Sequence, residues 1–133
     1  MHTTNYVDTV ITPPADTRAG AATAPPSGKR TVAELQFERL FGHDYEWTSD
    51  DLLFDVHCER KGIAEPERAA AREEFFAKGQ PCLRTSPLAK TYGWAFHFDH
   101  LGKIALVPMG SEELERVKAL EEITVRSAMR ASR

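Results

Sequence analysis

Cysteine is scarce in this sequence. Among its 133 residues only Cys58 and Cys82 occur, too few for a disulfide framework or a four-thiolate zinc site. No apolar run approaches the ~20 residues that span a bilayer, and no signal-peptide pattern opens the chain. The expectation is therefore a cytoplasmic protein without a membrane partner. Positive charge is also in deficit: 17 Lys and Arg against 20 Asp and Glu give a net charge of −3, with pI ≈ 5.9. That excludes a generally basic surface of the kind that coats nucleic acid. Internal repeats are missing. What remains, at 41% hydrophobic and 28% charged residues, is ordinary for a globular protein, and 133 residues suit one domain over 1–133.

The local patterns fix an order of elements. Asn5 to Thr12 alternates Tyr6, Asp8 and Val10 with Val7, Thr9 and Ile11, a strand at an edge or buried on both sides. Pro13 and Pro14 end it, since neither can donate a ladder hydrogen bond. The Pro- and Ala-rich stretch 13–30 shows no periodicity and reads as a long mobile loop. Thr31 and Glu34 fit a capping box opening a helix from Val32 to about Phe41, stopped by Gly42. Thr48-Ser49-Asp50-Asp51 starts a second helix, with Leu52, Leu53, Val56 and His57 as its inner stripe and Gly62 at its end. Pro66 opens a third, to Lys78. Gln80 to Lys90, with Pro81 and Pro87, reads as a structured loop.

Beyond it, Tyr92, Trp94, Phe96 and Phe98 alternate with Gly93, Ala95, His97 and Asp99, the clearest strand of the chain. Its aromatic stripe belongs in the core. A short loop with Gly102 leads into Ile104-Ala105-Leu106-Val107, giving a central hairpin over about 91–107. Ser111 caps a last helix to about Glu121, and Ile123–Arg126 reads as a closing strand. Helices grouped before a hairpin predict a single α+β domain, a small antiparallel sheet packed by about four helices.

Four pieces of the sequence carry a resemblance: Asn5-Tyr6-Val7-Asp8-Thr9, Thr31-Val32-Ala33, Thr48-Ser49-Asp50-Asp51, and the stretch from Lys78-Gly79-Gln80-Pro81-Cys82 to Tyr92-Gly93-Trp94. Together they resemble a family of short bacterial and fungal proteins of unknown function, over nearly the whole chain. The resemblance implies kinship and brings no activity, catalytic residue or cofactor with it.

Chemistry-bearing residues concentrate between Gly79 and Phe98, where an otherwise acidic chain has no Asp or Glu. Arg84, Ser86, Lys90 and Tyr92, with Thr85, offer a guanidinium fork, a point charge and hydroxyl donors that suit a carboxylate or phosphate. The plainer reading pairs Arg84 and Lys90 with acids of the helical half. Cys82 could act as a nucleophile, with His97 as base and Asp99 on the same strand face orienting it. Against that, free cysteines mostly serve as small buried hydrophobes.

His97, Asp99 and His100, with His57-Cys58 or His43-Asp44, match no familiar metal spacing, so neither metal nor cofactor is expected. Arg126, Arg130 and Arg133 near the C-terminus read as a solvated end. The leading expectation is thus a small anionic or polar ligand bound at the 80–97 segment. The alternatives are a Cys82-dependent hydrolase, transferase or thiol-redox enzyme, and a homo-oligomer built through the Asn5–Thr12 strand or the 13–30 loop.

Overall fold

The strand over Trp94–Phe98 organises the molecule, because its alternating side chains are buried on both faces. The computed structural model describes residues 2–131. Its elements are β1 (Thr9–Thr12), α1 (Val32–Leu40), α2 (Ser49–Lys61), α3 (Arg68–Ala77), α4 (Pro87–Lys90), β2 (Trp94–Phe98), β3 (Ile104–Pro108), α5 (Glu112–Lys118) and β4 (Thr124–Ser127). The sheet order is β3-β2-β1-β4. On one face Ile11, Trp94, Phe96, Phe98, Ile104 and Leu106 pack with residues of α1, α2 and α4, including Leu35, Leu52 and Leu88. On the other, Val10, Ala95 and Val107 pack with Leu114 and Val117 of α5. A satellite cluster of Phe54, Cys58 and Phe76 fastens α3 to α2.

The α+β class and the β2–β3 hairpin match expectation; the sheet is mixed rather than purely antiparallel. β1 pairs antiparallel with β2, and β2 with β3, but β4 runs parallel to β1 with Thr9 opposite Thr124. The cause is the helical connection after β3. Two antiparallel steps make β1 parallel to β3, and α5 crosses one face to return the chain in that same direction, as a parallel pair requires. β1 is consequently an interior strand, with Val10 and Ile11 both fully buried. It presents no free edge for self-association.

The helix starts follow the capping residues. The hydroxyls of Thr31, Thr48 and Ser111 accept from the backbone N–H three residues on, and Gly62 ends α2 in the left-handed region at φ 68°. Glu34 departs from the capping-box expectation, since its carboxylate collects the N–H groups of Gly28, Lys29 and Arg30. Pro87 does not keep the 80–90 segment free of helix. It occupies the first position of α4, where its missing N–H costs nothing, and Ser86 Oγ caps that turn by accepting from Leu88 N at 3.2 Å.

Residues 5–8 are not strand. Asp50, 6% exposed, holds this entry segment instead: its carboxylate accepts from Thr4 N, Thr4 Oγ1 and Thr3 Oγ1, each at 2.7 Å, while Asn5 Oδ1 accepts from Asp50 N at 2.9 Å.

The stretch read as a mobile loop is fastened to the body. Thr17 Oγ1 donates to Lys90 O at 2.9 Å, Thr23 N to Tyr92 O at 2.9 Å, and Trp94 Nε1 to Thr23 O at 2.8 Å. Gly93 allows this approach. It sits at φ 78°, and a Cβ there would fall 2.7 Å from Met109 Sδ and 2.8 Å from Ala21 O. Gly93→Ala is expected to cost about 2–3 kcal/mol, combining left-handed backbone strain with a clash against main chain. Gly79→Ala, with nothing within 4 Å of its added carbon, should stay within about 0.5 kcal/mol. Urea midpoints of the two variants check this; equal midpoints would refute the docking role of Gly93.

Candidate functional site

Residues 80–87 and three helices together enclose a hollow of about 370 Å³. Its apolar lining includes Val32 of α1, Leu53 and Val56 of α2, Phe75 of α3, and Leu83 and Pro87. Arg60, Lys61 and His57 come from the last turns of α2; Gln36, Gln80, Cys82, Thr85 and Ser86 complete the polar groups, and no carboxylate lines it. Among the described residues Arg60 and Lys61 make no ion pair, whereas neighbouring Arg30 and Arg39 are both held by Glu59. The two cations that line the hollow thus have no ion-pair partner among the described residues.

The predicted residues divide between this hollow and elsewhere. Cys82 is on its wall, partly exposed, with Sγ 3.2 Å from the Tyr6 hydroxyl. Burial raises the Tyr6 phenol above its ordinary value, and the contact with Cys82 adds to this; the guanidiniums of Arg84 and Arg126 oppose both. Ser86 also borders the hollow, but it is 3% exposed and its hydroxyl donates to Gln36 Oε1 at 2.6 Å. Arg84 is turned to the C-terminal segment, Nε donating to Ser127 O at 2.8 Å. Lys90 reaches a different hollow of about 250 Å³, beside Arg18 and Thr91. Tyr92 packs against the main core.

His97 is separated from Cys82 by the sheet. Alternation along β2 sends Trp94, Phe96 and Phe98 toward the helical layer that carries Leu83, and sends Ala95 and His97 to the α5 face. There His97 Nδ1 and the Tyr45 hydroxyl are 2.8 Å apart. Asp99 works in the hairpin turn, where Oδ1 accepts from Leu101 N and Lys103 N at 2.9 Å each. The structure thus does not bring Cys82, His97 and Asp99 into one constellation, nor Arg84 and Lys90 into one anion clasp. Of the tail arginines, Arg126 stands 5.9 Å from the centroid of the Tyr6 ring, and Arg133 lies outside the described residues. The described residues hold no cluster of three or more His, Cys, Asp or Glu able to bind a metal.

The hollow draws together α1 through Val32 and Gln36, α2 beyond its Thr48 cap, and the 80–87 turn, and its Cys82 is hydrogen-bonded to Tyr6 of the entry segment. A family model described as a family of unknown function, DUF6157, matches residues 1–133. The chain belongs to this family. No curated protein and no solved structure matches it. For DUF6157 the site must accordingly be read from chemistry.

Sequence reasoning missed Gln36, Arg60, Lys61 and Phe75 as site residues, and weighed His57 only as a metal ligand beside Cys58. One signal was present: Arg60-Lys61-Gly62 places two cations at a helix end, without an acid in the following turn until Glu65. His57 lies against the Phe75 ring, centroids 4.6 Å apart. Burial, then the Lys61 cation, lowers its pKa from the ordinary 6.5. Burial likewise lowers that of His97, against the opposing pull of Asp99, Asp8, Glu113 and Glu122.

An imidazole depressed in the folded state makes stability depend on pH. Between the folded value and 6.5 the unfolded chain holds more protons, so stability falls as pH drops through 6.5 and levels once the folded group has titrated. Urea midpoints are expected to fall between about pH 7.5 and 5.5, with part of that slope removed in His97→Asn. A flat profile would contradict the assignment.

Proposed function

We propose that this protein binds a small organic anion with an apolar body, seated in the hollow between α1, α2, α3 and the 80–87 turn. The observation that carries the reading is the composition of the wall: an aliphatic and aromatic floor, two unpaired cations at the rim, and no carboxylate. An apolar body would cover Val56, Leu83 and Phe75, while its charged head meets Arg60 and Lys61. The volume is within the ordinary range for small-molecule sites. This keeps the expected anionic ligand but moves its recognition from Arg84 and Lys90 to the end of α2. The expected setting is the cytoplasm; among the described residues no helix is long and apolar enough to cross a membrane.

Affinity should be modest. A ligand of about 13 non-hydrogen atoms at roughly 0.4 kcal/mol each reaches about −5 kcal/mol, a Kd near 0.2 mM. Thermal shift and calorimetry against octanoate, phenyl phosphate and β-benzoylpropionate should show stabilisation that matched neutral alcohols do not give. The Arg60→Ala/Lys61→Ala variant should weaken binding about tenfold, and the effect of the cations should shrink with added salt. Equal responses to anions and neutral analogues in the parent protein would overturn the reading.

A further inference from the structure

Three observations converge on the wall of the hollow. First, Cys82 is the partly exposed thiol and Tyr6 Oη lies 3.2 Å from its sulfur. The other thiol, Cys58, is 1% exposed and packed with Phe54 and Phe76. Second, Gln36 is 2% exposed and borders the same hollow. Its Oε1 is satisfied by Ser86 Oγ, which itself accepts from Leu88 N. Its Nε2 has no protein hydrogen-bond partner among the described residues and is not sealed from solvent, so an acceptor oxygen of an occupant would take the place of water there. Third, the hollow that Cys82 borders is lined by Arg60 and Lys61 and by no carboxylate, and the Arg126 guanidinium stands over the Tyr6 ring.

We propose that Cys82 is a nucleophile that captures carboxylates carrying an α,β-unsaturated ketone by conjugate addition, with Gln36 holding the ketone oxygen and Tyr6 relaying the thiol proton. This rests on the ligand reading above and names the class of ligand. The Cys82 sulfur gives an electron pair to the alkene carbon β to the ketone, forming the S–C bond. The π pair of the C=C bond moves toward the ketone, whose oxygen gains negative charge and accepts from Gln36 Nε2–H. The proton that leaves Sγ passes to Tyr6 Oη, 3.2 Å away, and on to water, and a water proton taken up by the α carbon restores the ketone. Thiol and alkene become a thioether, with no oxidant, reductant or leaving group. The carboxylate, on the carbon that bonds sulfur, stays with the cations of the rim.

The test uses the full chain and trans-β-benzoylacrylate, with saturated β-benzoylpropionate as its unreactive counterpart. Intact mass and peptide mapping should show one adduct, at Cys82, with Cys58 unmodified. The rate should saturate with probe concentration and fall when β-benzoylpropionate is present. Tyr6→Phe, which keeps the ring packed on Phe98 at 5.3 Å, should react at least tenfold more slowly, and Gln36→Met likewise, each with a melting curve that shows it folded.

The proposal is overturned if Cys82 reacts linearly with concentration at the rate of free glutathione, if Cys58 labels as fast, or if Tyr6→Phe reacts unchanged. Should capture fail while β-benzoylpropionate still raises the melting temperature of Cys82→Ser, binding stands without the covalent step. Should that shift be missing too, both readings fall together.

Discussion

Burial of β2 on both faces is the constraint on which the rest depends. A strand side chain cannot choose its face; it is set by parity. Once Trp94, Phe96 and Phe98 are committed to the layer of α1, α2 and α4, Ala95 and His97 must face α5. A small residue at Ala95 lets α5 come close, and α5 in turn becomes the crossover that brings β4 back parallel to β1. The topology and the separation of His97 from Cys82 therefore have one cause. A register slip by one residue would place the aromatics against α5 and empty the main core.

The same parity explains what was legible in the sequence. The hairpin, the aromatic core stripe, the capping hydroxyls and the order of elements apart from α4 all follow from periods of 2 and 3.6 and from local hydrogen-bond demands, so they could be read residue by residue. The parallel pairing of β4 could not, because nothing in Thr124–Ser127, exposed at every position, records which neighbour it joins. Nor could the docking of the 13–30 stretch, which depends on backbone bonds to Tyr92 and Thr23 and on space above Gly93. Composition reports whether a segment has its own periodicity; it is silent on whether another part of the fold will hold it.

The candidate site shows the same division. The acid-free window from Gly79 to Phe98 did mark one wall of the hollow, through Cys82, Thr85, Ser86 and Pro87. The window alone does not place its charges, however. The turn at Leu83–Thr85 and the short α4 rotate successive side chains around an axis, so Arg84 bonds to Ser127 and Lys90 borders a separate hollow while the smaller residues stay inward. Charge complementarity then has to come from another element, the end of α2. Arg60 and Lys61 are far from the window in sequence and near it only because α2 packs against α1.

The polar lining also distinguishes a built surface from an accidental gap. Ser86 could have been left to water, but its hydroxyl is enclosed, accepting from the backbone of its own turn and donating to Gln36. That fixes the Gln36 carbonyl toward protein and leaves the amide nitrogen as the end without a protein partner. A carboxamide bonded to protein at its oxygen and open at its nitrogen is oriented, not merely tolerated. An oxygen-bearing occupant of the hollow would take the place of water at that open end. Its binding would then couple the 80–87 turn to α1 through Ser86, so that occupancy of the hollow strengthens the contact between the two elements that form it.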